Sequence, residues 1–267
     1  MKLSRPDVFH PRIVLASCRG SVDGDFDDAG LDDAGLDDAG LIGALRRRGL
    51  FARFAPWDDP QTEKADLVIL RAMSDLAERR EEFLAWTTRV PNLLNAPAVV
   101  AWNSGQDYLR DLAAAGVPVC PRTDTRPGNR DPRPGNRTAL VFLAGEQSHA
   151  FAESPAGGSA AGTSIVGGLS QVDLDFDVWD LGYRVLDAAC ARLGIPGTDL
   201  LYARVDLIGR AAAPDVRGLD LIAPDLGWRH LDERTRTSQQ RRFALAVESA
   251  CERLGLGPLA RRGPLPH

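Results

Sequence analysis

Lysine is nearly missing from this chain: Lys2 and Lys64 are the only two, beside abundant arginine. Arginine in place of lysine beside plentiful alanine is a mark of genome composition. It still leaves any lysine-dependent chemistry with two candidates at most. Cysteine is also scarce. Cys18, Cys120, Cys190 and Cys251 stand far apart with no CxxC pair, so neither a zinc motif nor a disulfide framework is indicated. Long apolar runs are lacking too. The first, Ile13–Ala16, is too short for a signal segment, and none approaches a membrane span. A cytoplasmic protein is expected, with no membrane partner. A net charge of −5 supplies no electrostatic reason to expect nucleic acid.

What is present is ordinary for a globular chain: 267 residues, 44% of them apolar and 26% charged, enough for one large or two modest domains. Ile13–Ala16 reads as a buried strand, and Phe51–Ala55 as a second. Leu67–Leu70 is continuously apolar, as expected of a central parallel strand covered on both faces. Asn92–Leu94 and Val117–Cys120 read as short strands, and Leu41–Arg48, Leu76–Arg89 and Asn103–Ala115 as helices. Strands alternating with helices through residue 120 predict an open α/β layer. Beyond it, Thr138–Leu143 and Gln147–Ala152 form a predicted hairpin, followed by a helix at Val178–Leu193. A loop at Gly209–Arg217, a weaker strand at Gly218–Ile222 and a helix at Ser238–Leu254 complete the chain.

Three stretches look irregular. DDAGL occurs three times over Asp27–Leu41, with leucines five apart that cannot share one helix face. It reads as an expansion at the acidic start of the helix Leu41–Arg48, with Gly49 at its C-terminal cap. The aspartates from Asp23 to Asp28 fail the calcium-loop template, whose glycine and glutamate positions hold Asp28 and Ala34, so a solvated acidic segment is expected. Pro121–Arg137 contains RPGNR twice and reads as a surface linker, since it lacks the aromatics of a single-strand nucleic-acid platform. Pro155–Ser170 is rich in Gly, Ala and Ser but contains no GK[ST], so it is not a Walker loop.

The stretch that carries chemistry is Leu200–Ile208, LLYARVDLI. On a strand Tyr202, Arg204 and Asp206 share one face. A cation and an anion so placed suit a phosphate and a metal, or else form a plain ion pair. Ser148-His149 offers another nucleophile and base, but strand neighbours point to opposite faces, which favours a structural role.

Taken in order, WDDP at Trp57–Pro60, DLVILR at Asp66–Arg71, ERREEFLAW at Glu78–Trp86, LLN at Leu93–Asn95, WNSGQDYLRDLAAAGVPV at Trp102–Val119, TALVFLAGEQSHA at Thr138–Ala150 and LLYARVDLI form a recognisable series. The chain resembles the ATP-grasp superfamily, in its glutathione-synthetase-like and cycloserine-synthetase-like branch. The resemblance implies an α/β class: an N-terminal pre-ATP-grasp α/β domain (1–121), a Pro/Arg-rich linker (122–137), an incomplete α+β ATP-grasp lobe (138–255) and a flexible tail (256–267). It further implies ATP and Mg2+, with Arg204 on the phosphate and Asp206 and Asp220 as metal ligands, in the service of carboxylate–amine ligation through an acyl phosphate.

The departures bear on activity. Gln106 stands where the family carries a lysine, and the linker replaces the subdomain that holds a second lysine and the lid. Gly218 replaces one acidic ligand, and Ala223 replaces a further acid before Pro224. Charge neutralisation dominates phosphoryl transfer, and one lost donor costs about 3 kcal/mol in the transition state. The expectation is a catalytically impaired paralogue with a binding or regulatory role, or a decaying product. Its partner would be a full-length homologue or a second copy. Two alternatives remain open: an active ligase in which linker arginines (Arg122, Arg126, Arg130, Arg133, Arg137) replace lysine, and a scaffold that binds no nucleotide.

Overall fold

The computed structural model describes residues 10–18, 38, 40–120, 136–153, 169–210 and 213–257. Most of the DDAGL repeat, the linker up to residue 135, the Gly-rich loop and the tail from residue 258 lie outside these. By compactness the chain forms two units, Met1–Ala101 with Arg234–His267, and Trp102–Glu233.

The first unit is built on four parallel strands, β1 (Arg12–Ser17), β2 (Phe51–Pro56), β3 (Leu67–Leu70) and β4 (Leu93–Leu94), in the order β2-β1-β3-β4. β3 is buried along its whole length, as a continuous apolar run between two neighbours requires. Helix α1 (Leu41–Arg47) ends at Gly49, whose φ of 78° suits glycine at that cap. Helix α2 (Arg80–Thr87) is shorter than expected, because Leu76 lies in the turns before it. Two of the sequence motifs meet here. Trp57 packs edge-on against Phe83 and Trp86, at 5.4 and 5.5 Å between ring centroids. The Arg79 guanidinium lies 4.3 Å over the Trp57 ring, and Trp57 Nε1 donates to the Asp75 carboxylate.

Asp38, in the last DDAGL repeat, is buried. Its side chain and that of Arg71 are each 3% exposed, and Arg71 Nε and Nη2 donate to it at 2.9 and 2.6 Å. The repeat places no acid in the first turn of α1. The burial of Asp38 has a physical cause: Arg71 closes the buried run of β3, and its charge there needs a carboxylate. Gly40 follows with φ 84°, and a Cβ on it would lie 3.0 Å from Gln240 Oε1. Gln240 belongs to the last helix, α6 in chain order (Glu233–Arg253), which also pairs Glu248 with Arg48.

Between β4 and the second sheet the chain forms two helices, α3 (Pro97–Asn103) and α4 (Tyr108–Ala114), rather than one helix from Asn103. Pro97 suits a first helical position, and Ser104-Gly105 separates the pair. The expected strand at Val117–Cys120 makes a single parallel bridge, Val119 to Val216.

The second unit holds an antiparallel sheet of β5 (Asn136–Leu143), β6 (Glu146–Glu153), β7 (Leu169–Gln171), β8 (Tyr202–Arg210) and β9 (Ala213–Asp220), in the order β7-β6-β5-β8-β9. The β5–β6 turn is Ala144-Gly145, with φ of 52° and 79°, the geometry a two-residue hairpin demands. One face of β5 packs against α5 (Phe176–Leu193), where Gly182 lies so close that a Cβ would sit 2.7 Å from Leu140 and Phe142. Two outcomes differ from expectation. β7 was not foreseen. β9 begins at Ala213 and takes up most of the loop expected at Gly209–Arg217. An edge strand tolerates Pro214, Asp215 and Arg217, which hide the strand pattern in the sequence. Among the described residues no helix is long and apolar enough to cross a membrane.

Removing one partner of a buried ion pair strands the other. Asp38→Ala is expected to destabilise the protein by about 3–5 kcal/mol, read as a lowered urea midpoint. An unchanged midpoint would contradict the role assigned to the pair.

Candidate functional site

β8, paired on one side with β5 and on the other with the edge strand β9, carries the charged pair. Its register sets Arg204 opposite Val141 and Asp220, and Asp206 opposite Ala139 and Gly218. Directly opposed residues share a face, so Arg204, Asp206 and Asp220 come together on the face that does not receive α5. The ladder shifts just after Asp206, and Arg217 falls between the paired residues Val216 and Gly218.

Arg204 Nε donates to Asp206 Oδ1 at 2.8 Å, and Arg204 Nη1 to the Asp225 carbonyl at 3.1 Å. The guanidinium also lies 4.9 Å over the Phe151 ring. Both partners of the pair are half-buried. Phe151 is fixed from behind by Gly227, at φ 66°, where a Cβ would stand 2.4 Å from the ring. That closeness, added to the left-handed backbone, leaves glycine as the residue that fits. A cleft beside the pair is lined by Arg137, Arg204, Arg217, Asp206 and Phe151, with a volume of about 30 Å³. That is room for a water or small ion, against about 300–1,000 Å³ for a small-molecule pocket.

Asp220 lies at the end of β9, where its Oδ1 accepts from the backbone N–H of Ile222 (2.9 Å) and Ala223 (3.2 Å). Burial pushes its carboxyl above the usual range, with the Asp206 charge adding to the rise while the two N–H bonds and Arg204 oppose it. Gly218 brings no carboxylate. A Cβ there would lie 3.6 Å from the Tyr108 hydroxyl, which accepts from Leu219 N at 3.3 Å. Burial above all, with the Asp220 and Asp206 charges besides, pushes the Tyr108 phenol up. Asn103 completes this edge, donating to the Leu219 carbonyl and accepting from Leu221 N.

These groups decide what a magnesium ion would find. Among the described residues no three His, Cys, Asp or Glu gather into a metal set. Asp206 and Asp220 each engage one oxygen, Oδ1, in the bonds above. Two carboxylates, one oxygen apiece, fit a magnesium ion that takes its other ligands from phosphates and water. Held there, it would neutralise phosphate charge.

Tyr108, Asn103, Phe151 and Arg217 were not singled out from sequence. Gly218 was the available signal, since a residue without a side chain leaves space that a neighbour fills. Gln106 is exposed in the turn between α3 and α4. Lys64 lies in the first unit, and Lys2 is outside the described residues. Of the linker arginines, Arg137 is described, in β5; the others are not. Ser148 and His149 hydrogen-bond at 2.9 Å despite being neighbours. Ser148 is the bulged residue where the β5–β6 ladder skips from His149 to Gln147, which re-aims its side chain. His149 Nε2 donates to the Leu226 carbonyl at 2.6 Å, so in the neutral ring Nδ1 accepts from the serine hydroxyl. Ser148 does not line the cleft beside Arg204.

Residues 13–95 match the family described as D-cycloserine synthetase DcsG, N-terminal domain. Over 93 residues, 33% of the chain, the sequence is 37% identical to the cycloserine biosynthesis protein DcsG of Streptomyces lavendulae, and that stretch spans 31% of the relative. The crystal structure of D-cycloserine synthetase DcsG superposes with a TM-score of 0.68 at 24% identity, covering 91% of this chain and 99% of that one. The ATP-grasp ligase PsnB, complexed with a phosphomimetic variant of its minimal precursor, Mg and ADP, gives 0.55 at 15% identity, covering 90% and 99%. D-alanine–D-alanine ligase from Bacillus anthracis, complexed with ATP, gives 0.56 at 10%, covering 91% and 98%. The resemblance to ATP-grasp ligases thus holds in sequence over the first unit's strands and in fold along the chain.

The raised Asp220 value means that the folded state holds this proton more tightly than the unfolded chain does. Its carboxylate costs stability above the raised value, and the cost fades as pH falls towards the ordinary carboxylate range. Asp220→Asn keeps an oxygen for both N–H groups and carries no charge. It is expected to raise the melting temperature at neutral pH, with the gain shrinking in acid. A gain that grows in acid would contradict the assignment.

Proposed function

We propose that this chain is an ATP-grasp-like protein that recognises a phosphate-bearing ligand through Arg204 yet is impaired as a carboxylate–amine ligase, and that it serves a binding or regulatory role. The observation that carries this reading is the Tyr108 hydroxyl standing against Gly218, where the resemblance implies a metal-binding carboxylate. With Asp206 tied to Arg204 and Asp220 capping the backbone beyond β9, the strand pair offers a reduced magnesium site. A single ion suffices to bind a nucleotide phosphate; a paired site clamps the attacking and leaving oxygens during transfer.

Ligand recognition is supported by the cations around the cleft. Arg137 and Arg217 join Arg204 there, and guanidinium forks match phosphate oxygens. Arg137 comes from the edge of the linker that stands in place of the expected lid, so arginine supplies part of what lysine supplies in the family. The proposed ligands are ATP or ADP with Mg2+, and the proposed partner is a full-length homologue whose activity the chain modulates.

Calorimetric titration with MgADP is expected to show saturable binding in the millimolar range or tighter, lost in Arg204→Ala. ADP release from ATP, assayed with mixed amino and carboxylic acids, is expected to stay at the level of the protein-free control. Sustained release that disappears in Asp206→Ala would establish an active ligase instead. Absence of binding by either nucleotide would leave the scaffold reading.

A further inference from the structure

The first unit contains a second cavity that the ATP-grasp reading does not use. It lies at the N-terminal ends of β1 and β2 and has a volume of about 310 Å³. That is ten times the cleft beside Arg204 and within the range of small-molecule sites. Its wall carries Arg12, Arg46, Arg53 and Lys64, together with the Phe51 ring and Gln61. Among the described residues no carboxylate lines it, in a chain whose net charge is −5.

The four cations are not equivalent. Arg12 is committed to Asp66, with Nε 3.1 Å from Oδ2, and its Nη2 donates to the Lys64 carbonyl at 2.7 Å. That second bond ties the segment carrying Gln61 and Lys64 to the start of β1. Arg46 donates to the Ala52 carbonyl of the edge strand β2 at 3.3 Å, which holds its guanidinium at the cavity mouth. Arg53 and Lys64 have no carboxylate partner among the described residues. Phe51 and Arg53 stand two apart on β2 and so share a face, opposite Arg12 and Val14 of β1. Phe51 is 56% exposed, and its ring is steadied by the His10 ring, 5.1 Å away edge-on.

We propose that this cavity binds a small organic anion, with a phosphate or carboxylate held by Arg46, Arg53 and Lys64 and an apolar or aromatic body laid against Phe51. Three like charges around one concavity repel each other, and an anion among them relieves that repulsion while making charge-assisted hydrogen bonds. The exposed ring supplies the apolar contact that a bare inorganic ion would not use. The strand ends chosen also matter. Ligands of open parallel sheets gather at the carboxyl ends, and this cavity lies at the amino ends. Its occupant is therefore an effector or a cargo of the first unit.

The test titrates the full chain with phenyl phosphate, benzoate and inorganic phosphate, followed by calorimetry or backbone amide shifts. Phenyl phosphate is expected to bind saturably, and the double variant Arg53→Gln, Lys64→Gln to weaken it about tenfold or more, with unchanged circular dichroism. Phe51→Ala is expected to weaken the aromatic probes and leave inorganic phosphate as it was. Affinity should fall as salt is raised. No saturable binding by any probe would overturn the proposal. So would binding that survives the double variant but is lost in Arg204→Ala, which would put the anion in the cleft of the second unit and leave this cavity without a ligand.

Discussion

Backbone pairing on both sides of β8 is the constraint on which the candidate site depends. Arg204 and Asp206 are two apart, so alternation alone puts them on one face. It is the antiparallel register with β9 that sets Asp220 beside Arg204 and Gly218 beside Asp206. A slip of one residue would exchange the two faces of β8 and turn both charges towards the buried side. Hydrogen bonds to β5 and β9 together hold that register, while Leu140 and Phe142, packed against Gly182, hold the opposite face.

Within that frame the charged groups answer one another rather than standing ready for separate tasks. Arg204 reaches Asp206, the Asp225 carbonyl and the Phe151 ring at once. Asp220 is spent partly on the backbone of Ile222 and Ala223. Tyr108 stands against the gap that Gly218 leaves and receives the Leu219 N–H. The segment Trp102–Cys120, grouped with the first domain in the sequence reading, is thus fastened along β9 by Asn103, Tyr108 and the Val119 bridge. An edge strand covered in this way keeps its geometry without a further strand beyond it.

Much of the fold could be read in advance, for reasons visible in particular residues. Continuous apolar runs such as Leu67–Leu70 admit little besides a buried strand. The turn residues Ala144-Gly145 and the cap at Gly49 announce their elements locally. Elements whose signal depends on neighbours were misjudged. β9 hides behind Pro214, Asp215 and Arg217, which an edge tolerates. Asn103 reads as a helix start, whereas its side chain bridges backbone groups more than a hundred residues away. Asp38 reads as part of a repeat at the acidic start of a helix, because nothing in its surroundings along the chain reveals Arg71.

The sequence by itself determined the class of fold and the ATP-grasp resemblance, and it was the resemblance that pointed to Arg204, Asp206 and Asp220 and to an acidic residue expected at Gly218. Those properties depend on residue identity, on local periodicity and on the order of motifs. Only the tertiary structure decided that Arg204 and Asp206 are an ion pair and that Tyr108 faces Gly218. It alone brought Ser148 onto His149 through a bulge, and gathered Arg46, Arg53 and Lys64 around a cavity. Each of these joins side chains through strand register or packing between elements, and distances across a fold are set by the whole chain's closure rather than by any stretch of it.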